Sequence, residues 1–212
     1  MMRAVKWVFW GAIWLFVAGW LHYTLPQHDV VRITDTYSKR IDFGANSWFW
    51  ATADVGTDGT QINRDVFFIQ AKRADDSIMV YRNEDTGWGW PPYFKFDTAN
   101  LQAEAGDLKS TAAAPQWAVL RHYGWRNEYL TIFPNAVEIW PVEGPEVRII
   151  PWFNIVVLTL LTAIFWALRV RWVRFRSKRI DPVLEDVEEA FDAAGEQISG
   201  TRGRLGRFFK RS

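Results

Sequence analysis

Two uncharged apolar runs constrain this chain more than anything else in it. Trp7 to Leu25 (WVFWGAIWLFVAGWLHYTL) is 19 residues without Asp, Glu, Lys or Arg. At a helical rise of ~1.5 Å per residue it reaches roughly 28 Å, about the hydrocarbon thickness of a bilayer. Ile149 to Leu168 (IIPWFNIVVLTLLTAIFWAL) is 20 residues and equally uncharged, with a reach of roughly 30 Å. Uncharged runs this long are uncommon in soluble cores, so both read as transmembrane helices. Trp7, Trp10 and Trp20 lie near the ends of the first run, and Trp152 and Trp166 near the ends of the second. The amphipathic indole prefers those interfacial levels. Pro151 falls in a first helical turn, where its missing N–H costs nothing. Arg3 and Lys6 resemble the n-region of a signal peptide. The apolar stretch is longer than an h-region, however, and no clear small-residue cleavage site follows it, so we expect an uncleaved anchor.

The flanks give the orientation. Arg3 and Lys6 precede the first run. Arg169, Arg171, Arg174, Arg176, Lys178 and Arg179 follow the second, six positive charges in eleven residues with no acid among them. Lys and Arg beside a span stay in the cytoplasm. Residues 1–6 and 169–212 are therefore expected inside and residues 26–148 outside, which in a bacterium means an inner-membrane protein with a periplasmic domain. The same six side chains lie where anionic lipid headgroups would meet them, at ~1 kcal/mol each.

This topology explains an otherwise bland composition. The formal charge of +1 comes from 25 basic and 24 acidic side chains. Residues 26–148 hold 12 basic and 17 acidic of these, and the two expected cytoplasmic pieces hold 13 and 7. An acidic outer domain gives no support to nucleic acid as a partner. The absence of cysteine excludes disulfides, thiolate nucleophiles and Cys metal sites. No Gly-rich phosphate or dinucleotide motif is present, and His22, His28 and His122 lack the spacing of a metal pair. No cofactor or metal is expected.

Residues 26–148 number 123, enough to bury a core. Val31, Ile33 and Tyr37 fall on one alternating face. Asp65–Arg73, a polar turn and Ile78–Arg82 read as an antiparallel hairpin, Trp117–Tyr123 as a strand, and Glu128–Phe133 with Ala136–Trp140 as a second hairpin. Leu101, Ala105 and Leu108 at helical spacing, with Asp97 or Thr98 as N-cap, predict a short helix. The expected fold is two transmembrane helices, 7–25 and 149–168, flanking an α+β domain with an antiparallel sheet. Residues 51–63 are small and polar and predict a loop. Beyond the basic segment 169–180, Asp181-Pro182 predicts the start of an amphipathic helix over 181–199, suited to a protein contact. Residues 200–212 form a basic tail with interleaved aromatics.

Two stretches draw attention as a surface. In Tyr81–Asp97 (YRNEDTGWGWPPYFKFD), Arg82, Glu84 and Asp85 precede Trp88, Trp90 and Tyr93, flat side chains on a Gly/Pro-shaped turn suited to binding or to packing. In the second, His122 is followed by Trp125 and Arg126. Paired with Glu128 or Asp85, His122 would be a general base, but no nucleophile is signalled. These nine residues are the candidate binding surface, and no catalytic residue is assigned.

Leu21–Ile33 (LHYTLPQHDVVRI), Val80–Ala103 (VYRNEDTGWGWPPYFKFDTANLQA) and His122–Val137 (HYGWRNEYLTIFPNAV) resemble an uncharacterised bacterial membrane-protein family, domain of unknown function 1523. With both spans the resemblance covers most of residues 1–170. It implies an inner-membrane protein of alphaproteobacterial type and brings no activity with it. The expected function is a non-enzymatic, partner-binding or accessory role through the outer domain, with lipid and an unidentified protein as partners. A periplasmic hydrolase-type enzyme using His122, and a signalling protein with the tail helix as output, are the alternatives.

Overall fold

The structure is a computed structural model that describes residues 2–42 and 63–183. It divides into two compact units, Met1–Asn154 and Ile155–Ser212. Helix α1 (Met2–Thr24) has 23 residues and is long and apolar enough to cross a membrane, with its apolar stretch unburied. It closes on itself at Thr24, whose hydroxyl donates to Trp20 O at 2.9 Å, and Pro26 prevents its continuation.

Strand β1 (Gln27–Asp42) starts at once. It is followed by β2 (Asn63–Arg73), β3 (Ile78–Asn83), α2 (Thr98–Asp107), β4 (Trp117–Tyr123) and β5 (Asn135–Val142). The expected β2–β3 hairpin is present, with Ile69 opposite Tyr81. Asp75 shapes its turn by accepting from the N–H and hydroxyl of Ser77. The expected helix is α2, capped by Asp97, which accepts from Asn100 N at 3.0 Å. Its Leu101 and Ala105 are buried in the core beside Val31, Ile33, Ile69 and Leu120.

The sheet differs from the expectation in being closed. Its order is β1-β2-β3-β5-β4 and back to β1. Four of the pairings are antiparallel, and β3 meets β5 in parallel at Arg82 opposite Asn135. This connectivity, with a helix between the third and fourth strands, is that of an OB-type Greek-key barrel. Closure depends on β1 serving two neighbours. Residues 27–31 pair with β4 and residues 31–42 with β2, which a strand of 16 residues is long enough to do.

Two local expectations fail for related reasons. Glu128–Phe133 is a turn around the isolated bridge Asn127–Ile132, and β5 takes β4 as its antiparallel partner instead. Tyr37 does not share a face with Val31 and Ile33, because a bulge between Ile33 and Asp35 shifts the register and sends later side chains to the opposite face. Tyr37 stacks at 5.3 Å on Phe68, which is buried apart from the core cluster of Val31 and Ile33.

The second unit takes up most of helix α3 (Trp152–Phe175), 24 residues with none buried, again long and apolar enough to cross a membrane. It widens into a π-helical turn, Arg176–Ile180, in which Asp181 N donates to Arg176 O. Asp181 and Pro182 therefore lie in continuing helix and do not open a new one. The wider turn spares Pro182 the clash its ring would make with the carbonyl four residues back. The expected helix beyond residue 183, the basic tail 200–212 and the polar loop up to residue 62 lie outside the described residues.

Candidate functional site

Six of the nine residues of the expected surface fall into three environments. His122 is inside the barrel and 3% exposed. Alternation along β4 points Ala118, Leu120 and His122 inward, and β1 brings Asp29 to meet it. His122 Nε2 lies 3.1 Å from Asp29 Oδ2. The same oxygen accepts from Arg73 at 2.8 Å and from the hydroxyl of Tyr81, which is fully buried. The partner of His122 is thus Asp29, neither Glu128 nor Asp85. Glu128 sits 3.8 Å from Arg126.

Burial alone would raise the Asp29 carboxyl. Hydrogen bonds from His122, Arg73 and Tyr81 outweigh it and hold Asp29 well below the ordinary carboxylate range. Burial and the neighbouring carboxylate push the Tyr81 phenol well up. An ionised Asp29 accepts, so Nε2 carries the proton of the His122 tautomer that fits, and the buried Nδ1 has no hydrogen-bond partner. The cluster reaches solvent at Arg73 and the edge of Asp29, whose side chains are 35% and 19% exposed. It can hold a charge in place. A general base needs access to a substrate proton, and the imidazole has little.

Arg82 and Glu84 form the second environment, a buried ion pair at 2.9 Å. They lie at the seam where β3 meets β5. With a single ladder pair at that seam, side chains supply the stitching. Asn135 accepts from Glu84 N at 2.9 Å and donates to Glu84 O at 3.0 Å. Arg82 N donates to Pro134 O at 2.9 Å, and its guanidinium bonds the hydroxyls of Tyr23 and Tyr123. Lys95 donates to Asn83 Oδ1 and, at 2.8 Å, to Ala136 O. Lys95 is 8% exposed, and burial pulls its pKa down to about 7 despite the nearby Asp85 carboxylate.

The third environment is an aromatic collar on the last turns of α1. Trp90 stacks on Trp20 at 5.0 Å. Tyr93 stacks on Tyr123 at 4.8 Å and donates to Thr24 O at 2.7 Å. Trp125 packs edge-on against Tyr23 and donates to His22 Nδ1 at 2.9 Å. Gly124 permits this approach. Its φ is +93°, its N–H donates to Tyr23 O, and a Cβ there would meet Pro134 and the Tyr23 ring at 3.5 and 3.6 Å. Arg126 covers Phe133 at 4.4 Å and bonds the carbonyls of Asn127 and Ile132. Trp88 and Asp85 are exposed.

The six basic residues of the second flank encircle the last turns of α3 and the π-helical turn, all exposed. Arg176 also pairs with Asp181 at 3.0 Å. Among the described residues no group of three His, Asp or Glu is arranged to hold a metal. Sequence reasoning missed Asp29, Arg73, Tyr81, Lys95 and Asn135. Only the inward parity of Asp29 with Val31 and Ile33 hinted at the first of them.

The family described as "Protein of unknown function (DUF1523)" matches residues 2–176. A protein of Haemophilus influenzae described as uncharacterised is 36% identical over 162 residues, covering 75% of this chain and 86% of that protein. No solved structure matches the chain.

Proposed function

The chain belongs to the DUF1523 family of proteins of unknown function, and from that premise we propose a two-span protein of the bacterial inner membrane that holds its barrel in the periplasm for a protein partner. In this reading α1 and α3 cross the membrane, residues 26–148 lie outside, and both flanks are cytoplasmic, the Arg-rich one against lipid headgroups. The role is non-enzymatic, that of an accessory or organising subunit. The carrying observation is the collar. Trp90, Tyr93 and Trp125, from two loops of the barrel, bind the last turns of α1, so the barrel is fixed to its span instead of hanging from a linker. A fixed presentation of this kind lowers the ordering cost of binding a neighbour in the same membrane.

The enzyme alternative requires His122 to reach a substrate, and its burial against Asp29 argues the other way. The test is complementation of a deletion strain by His122→Gln at unchanged protein level, alongside a mild-detergent pull-down from native membranes. Full complementation and a co-purifying protein are expected. Loss of function with normal protein level and fold would favour catalysis. Alkaline phosphatase inserted within residues 51–63 should be active and a fusion after Ser212 inactive; the reverse pattern would refute the orientation.

A further inference from the structure

Two loops of the barrel reach past the end of α1 and down its side. Trp90 lies on Trp20, ring planes 7° from parallel. The Trp125 ring comes within 4.0 Å of where a side chain on Gly19 would stand. Gly19 and Trp20 precede the last residue of α1, Thr24, by five and four positions, ~6–8 Å back along the axis. Beside these anchors the same loops expose apolar side chains. Trp88 is 84% and Tyr129 99% exposed, and Phe94, Phe96 and Leu130 are about half exposed. The stretch Thr86–Phe96 holds one charged side chain, Lys95, and it is turned into the protein.

We propose that this rim is a bilayer-docking surface, the β3–α2 and β4–β5 loops lying in the interfacial layer of the leaflet that α1 leaves. The inference rests on the reading that α1 crosses a membrane. Given that reading, whatever reaches Trp20 reaches the boundary between headgroups and acyl chains, so the bilayer is the occupant already present at that depth. The chemistry matches. Trp and Tyr place an apolar ring and one polar atom at that boundary, and a monotopic contact of this kind enters by ~5–10 Å. The outward side of the β3–α2 loop carries no charge that would need to be stripped of water between Thr86 and Phe96. The barrel is then attached to the membrane by its rim as well as by its spans.

The chain has no cysteine, so single cysteines can be labelled without background. The full-length protein is reconstituted in phosphatidylcholine–phosphatidylglycerol vesicles with an environment-sensitive fluorophore at Trp88→Cys, Tyr129→Cys, the mid-span position Trp14→Cys, or Lys39→Cys far along β1. Quenching is read with spin-labelled lipid and with aqueous iodide. We expect Trp88→Cys and Tyr129→Cys to be quenched by shallow spin-labelled lipid several-fold more than Lys39→Cys, and to be shielded from iodide. Iodide access at both rim sites equal to that of Lys39→Cys, with Trp14→Cys still lipid-quenched, would overturn the docking while leaving the span intact. Absence of lipid quenching at Trp14→Cys would remove the span reading and the docking with it. Shielding of the rim from both quenchers would mean a protein surface covers it, and would overturn the proposal in favour of that contact.

Discussion

Replacing Asp29 with alanine removes the acceptor that three side chains share. Arg73, about one-third exposed, can turn to water at little cost. The Tyr81 hydroxyl and the His122 Nε2–H cannot, since Tyr81 is fully buried and His122 nearly so. Each buried donor left without an acceptor costs ~1–3 kcal/mol, and two are left here. Together they place the loss at ~2–6 kcal/mol. In a domain of this size 1 kcal/mol moves the melting midpoint by roughly 3–6 °C, so the midpoint falls by roughly 6 °C or more. The assay is thermal unfolding of the full chain in mild detergent, followed by near-UV circular dichroism of the packed aromatics. Adding Tyr81→Phe to Asp29→Ala removes one stranded donor and should recover ~1–3 kcal/mol. An Asp29→Ala chain within ~1 kcal/mol of the parent would mean that water reaches Tyr81 and His122, and the reasoning from burial would be wrong.

Three further outcomes follow from the same interior. Lys95 has a folded pKa of about 7 against 10.5 for a free amine. Across that window the unfolded chain binds the extra proton, so stability rises with pH; Lys95→Met should flatten the rise in midpoint, and an unchanged slope would discount the buried amine. Glu84→Ala leaves the buried Arg82 guanidinium without its carboxylate, which we expect to cost ~3–5 kcal/mol and to raise hydrogen exchange first at Arg82 and Glu84, where the barrel closes. Exchange rising uniformly would count against a local seam. Gly124→Ala forces a side chain into the left-handed region at ~1–2 kcal/mol, so proteolysis within 124–134 should accelerate relative to the parent; an unaltered rate would count against the strain.

Several elements are legible without coordinates because their signals are local. The length and lack of charge of the apolar runs within α1 and α3, the polar turn between β2 and β3, the Asp97 cap with Leu101 and Ala105, and the apolar run of β4 each lie within one short stretch. Helical and strand periods, cap chemistry and turn chemistry act over a few residues, and the structure follows them. The expected hairpin at 128–140 shows the limit. Two β-rich runs around Pro134-Asn135 fit a turn locally, yet β4 offers β5 a full antiparallel ladder, and Asn135 is held by Glu84, 51 residues away.

Residue types and spacing alone thus determined that this chain has two helices able to cross a membrane and a domain between them rich in strands. They also marked out the unusual aromatic stretch from Trp88 to Tyr93. Tertiary structure decided what those pieces do to one another. It closed the sheet into a barrel, because one long bulged strand can satisfy two neighbours. It gave His122 to Asp29, 93 residues away. It also spent Trp90 and Tyr93 on the end of α1, leaving Trp88 exposed. Each of these is a contact between segments far apart in sequence. Such a contact depends on strand register and inward parity around the whole barrel, which no short stretch of sequence encodes by itself.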